Sequence, residues 1–218
     1  MRSILAVIFD LDGLMVRSEP LSIKAWQILL AKFGYSLDEE DFPELIGIDG
    51  DSTVQRLRRG RSFPLNNEEI LDLHYRHWIA IAKEEIQPVQ GLFDLIEAFR
   101  ARGLKMGVAS NSRSDYVHTV LDTIGLNGHF GCVVASDQVA RGKPAPDVYN
   151  VAAEHLGVRS EACLALEDSP SGLQAALNAG MRCVVVPNQD LLHESYDGAF
   201  ARFPSVNALR AELDKLLI

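Results

Sequence analysis

Two aspartates spaced by one residue, Asp10 and Asp12, stand between a short apolar run over 4–9 and a glycine, Gly13. Side chains at i and i+2 of an extended segment point the same way, so both carboxylates face one cleft if strand geometry persists. Two such charges about 4 Å apart repel by roughly 1 kcal/mol in water and about 4 kcal/mol at an effective dielectric of 20. A bound proton, a cation or both would relieve that repulsion. The competing reading is a pair of solvated aspartates in a turn at the strand end.

Two other apolar runs also end in polar pairs, Ser110-Asn111 and Glu167-Asp168. Asp10, Asp12, Glu167 and Asp168 together form a set of hard oxygen donors. Such a set suits Mg²⁺, which takes a few carboxylates, retained waters and a substrate phosphate. A hydroxyl at Ser110, an amide at Asn111 and the backbone N–H groups of a following helix start can cradle a phosphate. Lys143, in Gly142-Lys143-Pro144-Ala145-Pro146, supplies a point cation for a nucleophile and a phosphate. Singly, these residues also read as helix caps or as a surface lysine in a proline-rich turn. Their joint occurrence at the ends of apolar runs is what points to a site.

The elements that would position them follow from the patterning. The run over 4–9 lacks polar alternation, as do strands of parallel sheets covered on both faces. Further strands are expected over 104–109, 132–135, 162–166 and 182–186. Helices are expected over 92–102, 115–124, 147–156, 170–179 and 208–217. Strands alternating with helices of this length indicate a parallel sheet whose carboxyl ends share one edge. Ser18 reads as the N-cap of a helix closed by Gly34, and from Leu37 to Glu85 only helical patterns occur. The expected fold is therefore α/β, a Rossmann-like parallel sheet core with an inserted all-α cap domain. The core comprises 1–14 plus 89–218, and the cap 15–88.

Composition narrows the function classes. A net charge of −9 argues against nucleic acid or an anionic membrane as partner. No apolar run reaches the ~20 residues of a membrane span. The N-terminal apolar piece is cut at Asp10, unlike a signal peptide, so a cytoplasmic location is expected. Cys132, Cys163 and Cys183 lie apart in apolar runs and read as reduced core residues.

Asp10-Leu11-Asp12-Gly13, Ser110-Asn111, Lys143-Pro144 and Glu167-Asp168-Ser169, in that order, resemble the motifs of the haloacid dehalogenase-like phosphatase superfamily. The cap position is similar to that of the subgroup containing sugar-phosphate phosphatases and β-phosphoglucomutases. The resemblance implies that Asp10 attacks phosphorus to form an aspartyl-phosphate. It implies that Asp12 protonates the leaving oxygen and then deprotonates water. Mg²⁺ would be held by the Asp10 side chain, the Asp12 backbone carbonyl and Asp168, with Glu167 in or near the shell. Ser110, the Asn111 backbone N–H and Lys143 would bind the transferring phosphoryl group.

The mutases carry a His in the first cap helix and an Arg in the following cap segment. This chain has Ser22 and Gly50 at the matching positions, within Gly47-Ile48-Asp49-Gly50-Asp51-Ser52 for the latter. Arg17 stands where relatives often have an acid. The expected function is an Mg²⁺-dependent phosphatase of a small phosphorylated metabolite, a sugar phosphate. The alternatives are a β-phosphoglucomutase-like transferase and a catalytically silent binding protein. Arg76 and Ser22 are the cap candidates for substrate contact. His74 and His77 could hold zinc only with a third ligand. The run Arg56, Arg58, Arg59 and Arg61 reads as an exposed cap loop, and Trp26 and Trp78 as cap core.

Overall fold

A computed structural model describes residues 3–45 and 50–217. The chain divides into two compact units, Met1–Arg17 with Gln87–Ile218 and Ser18–Ile86. The second unit contains helices α1 (Glu19–Lys32), α2 (Gly50–Leu57) and α3 (Asn67–Glu85). The first contains strands β1 (Ala6–Phe9), β2 (Lys105–Ala109), β3 (Cys132–Val134), β4 (Cys163–Glu167), β5 (Arg182–Val185) and β6 (Ala201–Arg202). Its helices are α4 (Leu92–Ala101), α5 (Ser114–Thr123), α6 (Asp147–Leu156), α7 (Pro170–Asn178), α8 (Val206–Ala211) and α9 (Leu213–Leu216).

The strands form one parallel sheet in the order β3-β2-β1-β4-β5-β6, the Rossmann-like α/β arrangement. Central β1 is buried on both faces, which explains its unbroken apolar sequence. Ala6 and Ile8 join a core with Val148, Tyr149 and Ala152 of α6. Phe9 instead meets Phe99 of α4 and Phe130 edge-on, with ring centroids 5.8 and 5.7 Å away. Burial of each large apolar side chain contributes roughly 1.5–3 kcal/mol.

Register matters most for function. Phe9 lies opposite both Val108 and Leu166, so the next residues, Asp10, Ala109 and Glu167, stand level at one sheet edge. The Asp10 N–H donates to the Leu166 carbonyl at 2.9 Å and carries the ladder one residue further.

Two local expectations are corrected, and one element was not anticipated. Ser18 adopts φ −94° and ψ −21° and makes no side-chain cap bond, because a helical backbone there removes the extended geometry that capping needs. The helix expected over 208–217 is broken into α8 and α9 at Glu212, whose N–H bonds the carbonyl three residues back. The short β6 has no counterpart in the sequence reading, since two residues carry no periodicity.

In the helical unit, Trp26, Leu29 and Leu30 of α1 share a core with Val54 and Leu57 of α2 and Ile70 of α3. α3 begins in a capping box. The Asn66 side chain accepts from the Glu69 N–H at 2.9 Å, and Glu69 accepts from the Asn66 N–H at 2.8 Å. Gly47-Ile48-Asp49, part of the stretch without the mutase-type arginine, lies outside the described residues, whereas Gly50 opens α2. Among the described residues no helix is long and apolar enough to cross a membrane. The three cysteines are free and buried.

Candidate active site

Lys143 is the hub of the sheet edge. Its Nζ donates to Asp10 Oδ1 at 2.5 Å, to Glu167 Oε1 at 2.6 Å and to the Ala109 carbonyl at 2.8 Å. All three side chains are buried, at 3% exposure for Lys143, 9% for Asp10 and 0% for Glu167. Burial works against the ammonium, but the Asp10 and Glu167 carboxylates outweigh it and hold Lys143 above the ordinary lysine range. Burial pushes the Asp10 carboxyl up, with Lys143 pulling it back and Glu167 and Asp12 adding to the rise.

Asn111 positions Lys143. Its side-chain oxygen accepts from the Lys143 N–H at 2.7 Å and its amide donates to the Lys143 carbonyl at 3.1 Å. The Asn111 side chain is therefore engaged with the Lys143 loop through both its oxygen and its amide. A Cβ at Gly142 would come 2.6 Å from Asn111 Oδ1, so this clamp needs a glycine beside it.

Glu167 is saturated. Oε1 accepts from Lys143 and from the Tyr149 hydroxyl at 2.6 Å. Oε2 accepts from the Asp168 N–H at 3.2 Å and from Ser169 Oγ at 3.4 Å. Its carboxylate lies under the first turn of α7, where the helix dipole favours negative charge. A Cβ at Gly172 would fall 2.0 Å from that carboxylate. Asp168 is buried too, and its backbone carbonyl accepts from the Tyr196 hydroxyl at 2.8 Å.

Asp10, Glu167 and Asp168 each offer an oxygen within 4.8 Å of the others. Three carboxyl groups here share the single Lys143 ammonium. Such a set of hard oxygens fits a divalent cation. Glu167 already accepts from four donors.

Asp12 sits beside this cluster with its side chain committed to hydroxyls. Oδ1 accepts from Tyr116 at 3.0 Å, and Oδ2 accepts from Ser112 at 2.7 Å and from Ser110 at 3.4 Å. Ser110 Oγ in turn accepts from the Ser112 N–H at 3.0 Å. The chain turns directly after Asp12 through Gly13, at φ 84°, whose N–H bonds the Val16 carbonyl at 2.8 Å. Arg17 is exposed.

The helical-unit candidates stand in a different setting. Ser22 faces His74, with Ser22 Oγ 3.3 Å and the Ser22 carbonyl 3.1 Å from His74 Nε2. The His74 ring stacks on Trp26 at 3.8 Å between centroids. Burial lowers its pKa to about 3, so the ring is neutral. His77 lies 2.8 Å from Lys32 Nζ instead, so the two histidines face separate partners. Arg76 is exposed on α3. In the basic run, Arg58 bonds Asn67 and the Leu65 carbonyl, and Arg61 bonds the Ser36 carbonyl and pairs with Asp41.

Tyr116, Tyr149 and Tyr196 escaped the sequence reading. Their sequence neighbours give no sign of a site: Tyr116 stands between Asp115 and Val117, Tyr149 between Val148 and Asn150, and Tyr196 between Ser195 and Asp197. The available signal is a tyrosine, not a phenylalanine, at a buried position, because a buried hydroxyl needs a partner.

The sheet, its polar edge and the order of the motifs define a class. The chain belongs to the haloacid dehalogenase-like hydrolases, whose family model matches residues 7–186. It is 32% identical over 190 residues to fructose-1-phosphate phosphatase YqaB of Escherichia coli (strain K12), covering 83% of this chain and 95% of that protein. It is also 32% identical over 189 residues to hexitol phosphatase B of the same organism, covering 85% of each. The crystal structure of the D10N mutant of CbbY from Rhodobacter sphaeroides, in complex with xylulose-(1,5)bisphosphate, superposes with a TM-score of 0.86. That protein is 30% identical, and the match covers 94% of this chain and 96% of the other.

Proposed function

We propose that this chain is an Mg²⁺-dependent phosphatase that hydrolyses a sugar phosphate in the cytoplasm through an aspartyl-phosphate on Asp10. The observation that carries the reading is the meeting of Asp10, Lys143, Glu167 and Asp168 at one level of the sheet edge. The phosphatase relatives and the bisphosphate-bound neighbour supply the substrate class.

Asp10 attacks phosphorus through a carboxylate oxygen as the bond from phosphorus to the sugar oxygen breaks. Asp12 gives its proton to that departing oxygen. Water then attacks phosphorus and yields a proton to Asp12, and the phosphorus–Asp10 bond breaks to restore the carboxylate. Ser110 and the Asn111 N–H bind the phosphoryl oxygens, and Lys143, whose three donors go to Asp10, Glu167 and the Ala109 carbonyl, orients Asp10 and exchanges one of these bonds for a phosphoryl oxygen. Glu167 anchors Lys143. Asp10, Asp168 and the Asp12 backbone carbonyl would hold Mg²⁺, which supplies charge neutralisation for the phosphoryl group. Arg76 is assigned to the substrate, whereas the Ser22 hydroxyl is already engaged with His74.

The test is phosphate release from a panel of hexose and pentose phosphates, with Mg²⁺ and with chelator. Release that requires Mg²⁺ and is lost in Asp10→Asn is expected. Full activity in Asp10→Asn, or none on any phosphate ester, overturns the reading. Conversion of glucose 1-phosphate to glucose 6-phosphate faster than phosphate release would reassign the chain to the mutases.

A further inference from the structure

Asp12 is held in a way that nothing in the general chemistry of two carboxylates requires. Both its oxygens are tied by hydroxyl groups from one segment of the chain. Tyr116 lies in the first turn of α5 and Ser112 two residues before that helix begins. Tyr116 is fully buried and Ser112 nearly so, so neither hydroxyl is a chance surface contact. The Tyr116 bond to Oδ1, at 3.0 Å, and the Ser112 bond to Oδ2, at 2.7 Å, grip the carboxylate at its two ends. Ser110 adds a longer third bond at 3.4 Å, while its oxygen accepts from the Ser112 N–H.

We infer that Tyr116 and Ser112 are positioning residues for the proton transfers of Asp12. The inference rests on the acid–base reading of Asp12 given above. A carboxylate that must deliver a proton to one atom and later collect one from water needs a fixed orientation about its last torsion. With one hydroxyl on each oxygen, rotation about that torsion breaks both bonds at once. The grip also leaves the third donor free for other duty. Ser110 can turn its proton from Asp12 to a phosphoryl oxygen while Tyr116 and Ser112 keep the carboxylate in place. Neither residue touches the reacting atoms. Their effect passes through Asp12 alone.

The dependence on Asp12 gives a readout that a merely structural role would not move. A sugar alkoxide is a poor leaving group and needs a proton as its bond to phosphorus breaks. A p-nitrophenolate leaves as the anion and needs none. The kcat/KM value reports the step that forms the phosphoenzyme, so the ratio of kcat/KM for a hexose phosphate over p-nitrophenyl phosphate measures proton delivery.

Tyr116→Phe, which keeps the ring in its buried place, is expected to lower that ratio about tenfold, a fraction of the full general-acid contribution. Ser112→Ala is expected to lower it in the same sense, and Ser112→Thr, which keeps a hydroxyl, to restore most of it. Circular dichroism and thermal melting check that the variants are folded. An equal fall for both substrates in folded Tyr116→Phe and Ser112→Ala, or no fall for either, overturns the inference and leaves the phosphatase reading intact. A wild-type protein that hydrolyses neither ester overturns the underlying reading instead.

Discussion

Two buried polar clusters in this chain are built to opposite specifications. At the sheet edge, Asp10 and Glu167 are tightly paired with Lys143, and with Asp168 three carboxyl groups share one ammonium. In the helical unit, His74 is as deeply buried, but it is neutral, stacked on Trp26 and bonded to Ser22. The second cluster joins α1 to α3. The first keeps ionisable groups in a place where desolvation of charge is costly, with more carboxyl groups than cations to pair them. Burial of an ionisable group is therefore not what marks a site. The mark is the carboxyl groups left over after every internal cation has been counted.

That contrast can be broken by experiment. The largest effect is expected for Lys143→Met, which leaves Asp10 and Glu167 buried without their ammonium. Urea denaturation should show a loss of about 3–5 kcal/mol, the usual cost of an orphaned buried charge. Added Mg²⁺ should recover part of it by binding only the folded form. A variant as stable as wild type without Mg²⁺ would mean that the Lys143 ammonium is not what balances these carboxyl groups.

Gly172→Ala comes next. Its methyl group would overlap the Glu167 carboxylate, and a loss of about 1–3 kcal/mol is expected from overpacking, with activity falling alongside. Unaltered stability would show that Glu167 is free to move aside.

For His74 the effect is a slope with pH. Its folded pKa is about 3 against 6.5 for the free side chain, so the unfolded chain takes up a proton that the folded chain refuses. The stability associated with the neutral ring is fully present above pH 6.5 and is lost as pH falls from there toward about 3. The slope is at most about 1.4 kcal/mol per pH unit. His74→Phe should flatten the acid limb of a stability–pH curve, and an unchanged limb would assign the slope elsewhere. Tyr149→Phe gives the smallest change, about 1.5 kcal/mol, the low end for one hydrogen bond to a carboxylate, read by the same denaturation.

The α/β core was legible because strands β1 to β5 lie in short, largely apolar runs, and a parallel sheet puts the ends of such runs on one edge. Asp10, Ser110 and Glu167 announce themselves by interrupting those runs. The hydroxyl scaffold beneath them does not. Tyr116 reaches Asp12 across 104 positions and Tyr196 reaches the Asp168 carbonyl across 28, distances over which local pattern carries no information. The role of Gly172 was hidden for a related reason. A glycine inside a helix signals close approach, but only the fold shows that the approaching group is Glu167. His74 and His77, three residues apart, could share a metal only with a third ligand, and side-chain direction gives each ring its own partner.

The measurement that tests the central claim most directly is a rapid acid quench during turnover of a phosphate ester, followed by peptide mass spectrometry. The account predicts a hydroxylamine-labile phosphoryl group on the peptide containing Asp10, absent in Asp10→Asn. Phosphate release at the normal rate with no phosphoenzyme at any quench time, or a phosphoryl group on another residue, would contradict it.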